Sequence, residues 1–272
     1  MPELPEVEIT KQGIEPFLLG QTIKQFTVRN RKLRWPIPVK LHQTLQNLVI
    51  QAVSRRGKYI LIDCTVGWLI IHLGMSGSLR VLTSKEETAS KHEHYDINLN
   101  NGMTIRYRDP RRFGALLWTN KDPEKHRLLT NLGPEPLHDV LNGGFLYQVL
   151  RKKSSPIKIQ IMNNHIVTGV GNIYANESLF HAGIRPTRQA NRISQVRLER
   201  LSDAIKKTLK RAIEVGGSSL QDFYQADGTT GYFQQEYKVY GRTGEPCHTC
   251  NTPIKMVTLG QRSSFYCIVC QT

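Results

Sequence analysis

Four cysteines near the end of the chain restrict its fold more than any other feature of the sequence. They form the pattern Cys247-x2-Cys250-x16-Cys267-x2-Cys270, which is the spacing of a four-thiolate tetrahedral zinc ribbon. Four protein ligands leave no open coordination position, so the pattern predicts one structural Zn2+ ion rather than a catalytic one. The residues between the two cysteine pairs predict two strands joined by a turn that carries 260–264.

The charge and cysteine content of the chain restrict its partners and its compartment. The 272 residues include 37 Lys+Arg and 22 Asp+Glu, a net charge of 37 − 22 = +15. Such an excess favours a polyanionic partner, nucleic acid first and an anionic membrane second. No apolar stretch is long enough to cross a bilayer. Five cysteines, four of them clustered, indicate a reducing compartment, and Cys64 at the end of an apolar run is expected to be a small core or edge residue.

The first eight residues, Met-Pro-Glu-Leu-Pro-Glu-Val-Glu, admit two interpretations. In the first, they begin a helix, because Pro5 suits the first helical turn and Glu6 and Glu8 suit the positive end of the helix dipole. In the second, Met1 is trimmed and the secondary amine of Pro2 is exposed. An α-amino group titrates at about 7.7–8.0, so much of it is free base near neutrality and is available as a nucleophile, with Glu3 moving the proton. The two interpretations are compatible.

The first half of the chain is predicted to be mostly β. A helix over 5–19 precedes eight short β-like runs, and turn signals such as Asn100-Asn101-Gly102 separate them. This spacing predicts an antiparallel sandwich or barrel. The runs are 22–28, 48–53, 58–63, 68–73, 78–82, 95–99, 103–108 and 114–118.

The second half is predicted to be helical. After a linker at 132–136, helices are expected over 143–153, 156–165, 172–182 and 195–215. The apolar side of the last helix is assigned to Val196, Leu201, Ile205, Leu209 and Ile213. The polar segment 218–237 is long for a connection and contains aromatic residues, as functional loops often do. The predicted fold is α+β and multidomain, with domains at 1–132, 133–237 and 238–272.

The opening motif, the turn Gly169-Val-Gly-Asn-Ile-Tyr174 and the cysteine pattern, in this order and spacing, resemble one family over essentially the whole chain. It is bacterial formamidopyrimidine-DNA glycosylase, an 8-oxoguanine DNA glycosylase/AP lyase. The related endonuclease VIII group typically begins Pro-Glu-Gly-Pro-Glu instead. The resemblance implies an N-terminal helix with an antiparallel β-sandwich, a helical domain with a helix–two-turn–helix, and a terminal zinc ribbon.

The resemblance implies a catalytic set of Pro2, Glu3, Lys58 and Arg262. By this similarity, Pro2 attacks C1′ of an oxidised purine nucleotide and forms a Schiff base, and Glu3 assists the proton transfers. Lys58 matches the residue of β-elimination, and Arg262 matches that of δ-elimination. A guanidinium is a poor general acid, so Arg262 is expected mainly to clamp phosphate. The alternatives are a solvent-facing strand lysine and a solvated surface arginine.

The resemblance also implies a set of DNA contacts. Met75, Arg111 and Phe113 match residues that fill the gap left by an extruded nucleotide, although Met75 and Phe113 would more often be core residues. His92, Lys153 and Asn172 match phosphate contacts. Asn172 stands at a helix start, so its alternative role is that of an ordinary N-cap.

Two further features are implied by the similarity. The segment 218–237 would cap the flipped purine. Lys158 matches a family lysine near the site, but Ile159 and Gln160 stand where a proline and an aromatic residue are expected, which bears on the local packing.

The partner implied is double-stranded DNA that contains oxidised purines, with no membrane. We expect a monomer in the bacterial cytoplasm, associated with the nucleoid. Two alternatives remain open. One is an endonuclease VIII-like glycosylase for oxidised pyrimidines, and the other is a zinc-ribbon protein that binds lesions without catalysis.

The net charge of +15 makes a first prediction about DNA binding. Each neutralised phosphate releases a counterion, so the association constant for a duplex is expected to fall by about tenfold or more between about 50 and 200 mM salt. Fluorescence anisotropy with a labelled duplex measures this slope. The control replaces salt by a neutral osmolyte. A flat salt response would exclude phosphate-dominated contact.

Overall fold

The structure, a computed structural model, describes residues 1–83, 88–218 and 232–272. It divides into two compact units. The first comprises Met1–Thr130 with Val215–Tyr232, and the second comprises Asn131–Glu214 with Phe233–Thr272. Most of the loop predicted over 218–237, including the aromatic residues Phe223 and Tyr224, lies outside the described residues, and so does its predicted capping role.

The first helix, α1, spans Leu4–Leu18 and confirms the helical interpretation of the opening motif. Glu3 is its N-cap residue, and a proline stands in its first turn. Val7, Ile14 and Leu18 are buried in the core, and α1 packs against strands of both sheets described below. Phe17 on the same helix is 36% exposed.

Eight strands of the first unit form two four-stranded antiparallel sheets, which confirms the predicted β-rich half. One sheet has the order β1-β6-β7-β5, and the other has the order β2-β3-β4-β8. Buried residues of both sheets join one core cluster, in which Tyr95 and Tyr107 stack with ring centroids 4.8 Å apart and Cys64 is fully buried. The strands are β1 Ile23–Val28, β2 Ala52–Arg56, β3 Tyr59–Asp63, β4 Trp68–His72, β5 Ser78–Leu82, β6 Glu93–Leu99, β7 Thr104–Arg108 and β8 Ala115–Thr119.

One strand prediction in this unit had the wrong bounds, and one short helix was not predicted. The strand expected over 48–53 is β2, and it begins later, at Ala52. Before it, Val49 forms only an isolated bridge with Thr22. The short helix α2, Leu41–Leu45, was missed because only its two ends, four residues apart, are apolar and buried. A single helical turn carries too little periodicity to be recognised.

The second unit begins with four helices. They are α3 Gly143–Leu150, α4 Ile157–Ile161, α5 Asn172–His181 and α6 Gln195–Glu214. The first two are shorter than predicted, since exposed residues 151–154 follow α3 and Pro156 precedes α4. In α6, Leu198, Leu201, Ile205 and Leu209 are buried, whereas Val196 is 65% exposed. The assignment of Val196 to the apolar side was wrong. Val196 precedes the buried Leu198 by two residues, so at 100° per residue its side chain lies on the opposite side of the helix.

The chain ends in the predicted two-stranded ribbon. Strands β9, Lys255–Leu259, and β10, Arg262–Tyr266, pair in antiparallel register. Their two-residue turn has φ of 53° at Gly260 and 62° at Gln261, as a type I′ turn requires. The Phe265 N–H donates to Asn176 Oδ1 at 2.7 Å, which holds β10 against α5. Within the described ranges no helix has the length and apolar character of a membrane span.

Candidate active site and nucleic-acid interface

The N-terminus of α1 holds the two residues predicted to carry the chemistry. Pro2 is buried, and Glu3 is 3% exposed, whereas Met1 before them is 39% exposed and accessible for removal. The Glu3 N–H donates to Glu6 Oε2 at 2.8 Å, which fixes the peptide that follows Pro2. The geometry therefore holds Pro2 at a defined position at the start of a helix.

Glu6 also anchors a second stretch of backbone. It is fully buried, and its Oε1 accepts the Ser218 N–H at 2.9 Å, across 212 residues of sequence. Gly217 lies beside this contact with φ of +79°, and a Cβ there would stand 3.2 Å from Glu6 Oε1. One carboxylate thus positions both the backbone after Pro2 and the backbone that leads to residue 219.

Lys58 lies in the tight turn between β2 and β3. Gly57 precedes it with φ of +57°, which fits the first central position of a type II′ turn. Lys58 is 8% exposed, so the alternative of a solvent-facing lysine is wrong. Arg55 Nε donates to Glu8 Oε2 at 2.7 Å, and this ion pair ties the hairpin to the first turns of α1.

His72, at the end of β4, is held neutral beside the Lys58 turn. Burial, together with the positive charges of Lys58 and Arg34, lowers the pKa of His72 to about 4. The neutral ring uses Nδ1 to accept the Gly74 N–H at 2.9 Å. This bond fixes the start of the turn that carries Met75.

Asp109 connects the turn of Met75 to the turn of Arg111 and Phe113. It is fully buried; its Oδ1 accepts the Ser76 hydroxyl at 2.7 Å, and its Oδ2 accepts the Gly114 N–H at 2.8 Å. The Tyr107 hydroxyl also donates to Oδ2, at 3.1 Å, and burial with the charge of Asp109 raises the pKa of Tyr107. The two turns are thereby held in one arrangement.

The segment that carries His92 is hydrogen-bonded to the backbone of Asp109. The His92 carbonyl accepts the Asp109 N–H at 2.9 Å, and His94 Nε2 lies 2.7 Å from the Asp109 carbonyl oxygen. His92 itself is half-buried. The turns that carry Met75, Arg111 and Phe113 are therefore bonded to the Asp109 carboxylate, whereas the His92 segment is bonded to the Asp109 backbone.

The predicted wedge residues stand at the surface. Phe113 is 46% exposed, so its alternative role as a core residue is wrong, and Met75 is half-buried. The Arg111 guanidinium lies 5.1 Å from the centroid of the Phe113 ring. Arg112 between them has φ of +57°, a left-handed conformation that turns the chain sharply. An exposed aromatic ring under an arginine can stack on a base and donate hydrogen bonds to its neighbour.

In the second unit, the predicted phosphate contacts lie at helix ends. Gly171 is the N-cap of α5, so Asn172 is the first helical residue and not the N-cap. Asn172 Oδ1 is buried and has no hydrogen-bond partner in the described part of the chain. Lys153 is exposed after α3, and its carbonyl accepts the Asn191 N–H at 2.9 Å.

Lys158 supports the ribbon tip that carries Arg262. Its side chain is 1% exposed, and Nζ donates to the Ser263 carbonyl at 2.8 Å and to Ser264 Oγ at 2.7 Å. Arg262 itself is exposed at the start of β10. A buried ammonium thus fixes the backbone next to an exposed guanidinium.

The unusual residues after Lys158 find partners of their own. Ile159 lies under the ribbon turn, where its side-chain carbons would be 3.6 Å from a Cβ at Gly260. Gln160 Nε2 donates to Ser155 Oγ. The departures from the family pattern are therefore accommodated by local packing.

The four cysteines fit a tetrahedral zinc ion. All four sulfur atoms lie within 4.8 Å of one another, with Sγ–Sγ distances of 3.9 Å for Cys247–Cys270 and 3.4 Å for Cys250–Cys267. Zn–S bonds of about 2.3 Å in a tetrahedron require sulfur separations of about 3.8 Å. The N–H groups of Thr249 and Cys270 point at ligand sulfurs at 3.5 Å, as in zinc knuckles.

The sequence interpretation missed two positioning residues. Glu6 was assigned only to the helix dipole, and Asp109 was not assigned a role although it begins the Asp-Pro-Arg-Arg-Phe-Gly motif. A single acidic residue among three arginines, between Tyr107 and Phe113, was the available signal for Asp109. No local signal connects Glu6 to Ser218.

Family models match three parts of the chain. The formamidopyrimidine-DNA glycosylase N-terminal domain matches residues 1–116, the H2TH domain of the same enzyme matches 132–224, and a zinc finger found in FPG and IleRS matches 244–272. The chain belongs to the formamidopyrimidine-DNA glycosylase family. The cysteine cluster is accordingly a structural zinc site.

Whole-chain relatives agree with this assignment. Formamidopyrimidine-DNA glycosylases of Methylobacillus flagellatus and Escherichia coli K12 are each 53% identical over 271 residues, covering all of this chain and 96% and 100% of the relatives. Two solved structures of Lactococcus lactis Fpg cover 99% of both chains. One, with DNA containing Fapy-dG, is 32% identical with a TM-score of 0.89; the other, with DNA containing an oxidised pyrimidine, is 33% identical with a TM-score of 0.90.

Replacing Asp109 by Asn tests its role in holding the two turns. In the wild-type protein the two carboxylate oxygens of Asp109 accept three donors. Asparagine replaces one of these oxygens by an NH2 group, so at least one buried donor loses its acceptor. We expect the free energy of unfolding to fall by about 1–3 kcal/mol and duplex binding to weaken. Thermal denaturation and anisotropy measure both effects. The matched control is Asp122→Asn, because Asp122 is exposed and an asparagine can still cap the Glu124 N–H. Equal binding by both variants would contradict the role.

Zinc removal tests the ribbon. All three tryptophans lie in the first unit, so their fluorescence reports that unit alone. We expect chelation to abolish duplex binding and cleavage while the tryptophan spectrum stays unchanged, since the thiolates hold the Arg262 hairpin. Metal analysis confirms removal, and zinc re-addition is the control. Unchanged strand cleavage by verified metal-free protein would refute this dependence.

Proposed function

We propose that this protein is a bifunctional DNA glycosylase and AP lyase of base excision repair, which excises oxidised purines such as 8-oxoguanine and formamidopyrimidines. The observation that carries the proposal is the placement of Pro2 and Glu3 at the buried start of α1, in a chain whose whole length matches the family. The relatives named for this activity share that whole length, and related structures hold DNA with damaged nucleotides.

The first step is attack of the Pro2 amine on C1′ of the damaged nucleotide. The new N–C1′ bond forms as the glycosidic bond breaks, and the base leaves with a proton supplied through Glu3. The Pro2 nitrogen then loses its N–H proton, O4′ takes up a proton as the C1′–O4′ bond opens, and the Schiff base forms. The chemistry requires a free amine, so removal of the exposed Met1 must come first.

The second step is β,δ-elimination. The Schiff base makes the C2′ proton acidic; its loss expels the 3′ phosphate, and a second elimination expels the 5′ phosphate. We assign Lys58 to the first phosphate, because its buried ammonium is fixed by a tight turn beside α1. We assign Arg262 to phosphate clamping, because its exposed guanidinium stands next to backbone that Lys158 holds.

DNA binding uses both units in this proposal. Met75, Arg111 and Phe113 fill the gap left by the extruded nucleotide. The phosphate contacts are His92, Lys153 and Asn172. The functional division follows the predicted domains, with the nucleophile in 1–132, the helix–two-turn–helix in 133–237 and the zinc ribbon in 238–272. A substrate of chromosomal DNA implies association with the nucleoid, and we expect a monomer.

Oxidised pyrimidines are the second candidate substrate class. A specific observation favours including them, because a structural relative is bound to DNA with an oxidised pyrimidine. A third possibility, lesion binding without catalysis, predicts no covalent intermediate on any substrate. The three alternatives therefore differ in one assay.

Borohydride trapping tests the activity and its nucleophile together. Trimmed protein is incubated with an 8-oxoguanine:cytosine duplex, an oxidised-pyrimidine duplex or an undamaged duplex. We expect a reduced adduct that maps to Pro2, with a gapped product, on the purine lesion. An adduct on the pyrimidine lesion alone would establish the second candidate. Binding with no adduct on either would establish a non-catalytic protein.

Blocking the amine tests the nucleophile separately. We expect a protein with an uncleaved N-terminal tag to lose the adduct and the lyase activity while it retains most duplex binding, because the wedge and phosphate contacts lie elsewhere. The matched control is the same protein after the tag is cleaved to leave Pro2 first. Equal strand cleavage by both forms would contradict the mechanism in which Pro2 is the nucleophile.

A further inference from the structure

Asn176 is a buried side-chain amide that joins the first turn of α5 to the ribbon strand β10. It is fully buried and stands four residues after Asn172, the first residue of the helix. Its Nδ2 donates to the Asn172 carbonyl at 2.6 Å, and its Oδ1 accepts the Phe265 N–H at 2.7 Å. A reversed amide would lose both bonds, so the two partners fix its orientation.

The bond to Phe265 is one of two contacts along the outer edge of β10. In a hairpin with a two-residue turn, the pair beside the turn is hydrogen-bonded and the pairs then alternate. Ser263 and Phe265 therefore direct their backbone groups away from β9. Lys158 Nζ donates to the Ser263 carbonyl at 2.8 Å, and Asn176 accepts the Phe265 N–H. Two buried side chains thus take the place of a further strand and hold the strand that begins with Arg262.

Asn176 is the side chain of this support that also reaches the other proposed phosphate contact. Asn172 begins α5 and Arg262 begins β10, so the two contacts stand on separate elements. The Asn176 amide bonds the backbone of Asn172 itself and the backbone three residues after Arg262. Two contacts to one DNA backbone reinforce each other only when their separation is held, because a loose link loses the gain of the second contact.

We propose that Asn176 is a positioning residue for phosphate recognition. It fixes the place of Arg262 relative to the start of α5 at Asn172, so that both residues bind the DNA backbone together. Asn176 acts through these residues and does not touch DNA, because its side chain is fully buried. The inference rests on the phosphate roles proposed above for Arg262 and Asn172, and it adds the residue through which the two are coupled.

The test measures binding of the full zinc-bound chain to a duplex with a tetrahydrofuran abasic-site analogue, which cannot form a Schiff base. Asn176→Leu keeps the branched shape of the side chain and removes both hydrogen bonds, and we expect it to weaken binding about tenfold. The matched control is Ser178→Ala. Ser178 is also fully buried on α5, and its hydroxyl has no hydrogen-bond partner within the described residues, so this variant is expected to bind like wild type.

The salt dependence of binding separates positioning from a general loss of structure. Arg262→Ala removes one phosphate contact, so the slope of log K against log salt is expected to become shallower by about one. Asn176→Leu changes no charge, yet we expect a similar change of slope, because Arg262 is no longer held. In the Arg262→Ala background, Asn176→Leu is expected to cost no further affinity. A wild-type slope for Asn176→Leu, or an additive loss in the double variant, overturns the inference.

Thermal denaturation and zinc analysis confirm that each variant is folded and metal-bound. Asn176→Ala removes the same two bonds without adding a larger apolar group, so it keeps the test decisive if the leucine variant does not fold. We expect the same shallower slope for the alanine variant.

Borohydride trapping separates this inference from the proposed function. An adduct on the purine lesion, together with wild-type binding by Asn176→Leu, would overturn the inference and leave the glycosylase activity in place. Absence of any adduct would overturn the activity, whereas the binding comparison would still decide the role of Asn176, since the analogue duplex is bound without catalysis. Wild-type binding by Arg262→Ala would also overturn the inference, because no phosphate contact would remain for Asn176 to position.

Discussion

The carboxylate of Glu6 is the contact on which the arrangement of the active centre depends. It is fully buried, and it binds the Glu3 N–H and the Ser218 N–H at 2.8 and 2.9 Å. A buried carboxylate without donors would cost several kcal/mol, whereas hydrogen bonds to a charged group are each worth about 1.5–3 kcal/mol. The position of Pro2 is therefore linked through Glu6 to the backbone at Ser218.

Two other buried carboxylates, those of Asp109 and Glu177, bind several donors in the same way. Asp109 gathers donors from Ser76, Tyr107 and Gly114, and Glu177 accepts three successive N–H groups of residues 238–240. In each case one buried acidic side chain accepts at least one N–H group of irregular backbone, which cannot satisfy its own donors. Burial raises the pKa of Glu177, and its three N–H donors act in the opposite direction. Buried carboxylates thus accept hydrogen bonds from loop backbone, as neighbouring strands accept them within a sheet.

The sequence predicted the features that depend on residue spacing and hydrophobic periodicity. It did not predict contacts between residues that are far apart in the chain. The zinc ribbon, the helix α1 and most strands follow from local patterns, and the structure and relatives confirm them. Val196 was placed on the wrong side of α6 because apolar character alone does not locate a residue on a helix face. The role of Glu6 could not be found, because its partner Ser218 is 212 residues away. Phe113 required the structure as well, since an exposed phenylalanine and a core phenylalanine look alike in sequence.

The turn that carries Met75 and the turn that carries Arg111 and Phe113 approach each other closely. A Cβ at Gly74 would lie 2.4 Å from the Gly114 nitrogen, so the turns touch backbone to backbone and only glycine fits. Together with the Asp109 bonds, this contact makes Met75, Arg111 and Phe113 parts of one rigid surface. In the wedge role proposed above, these side chains must resist the free energy of base restacking, which amounts to a few kcal/mol for each step. The hydrogen bonds of both turns to the buried Asp109 carboxylate provide that resistance, which a flexible loop would lack.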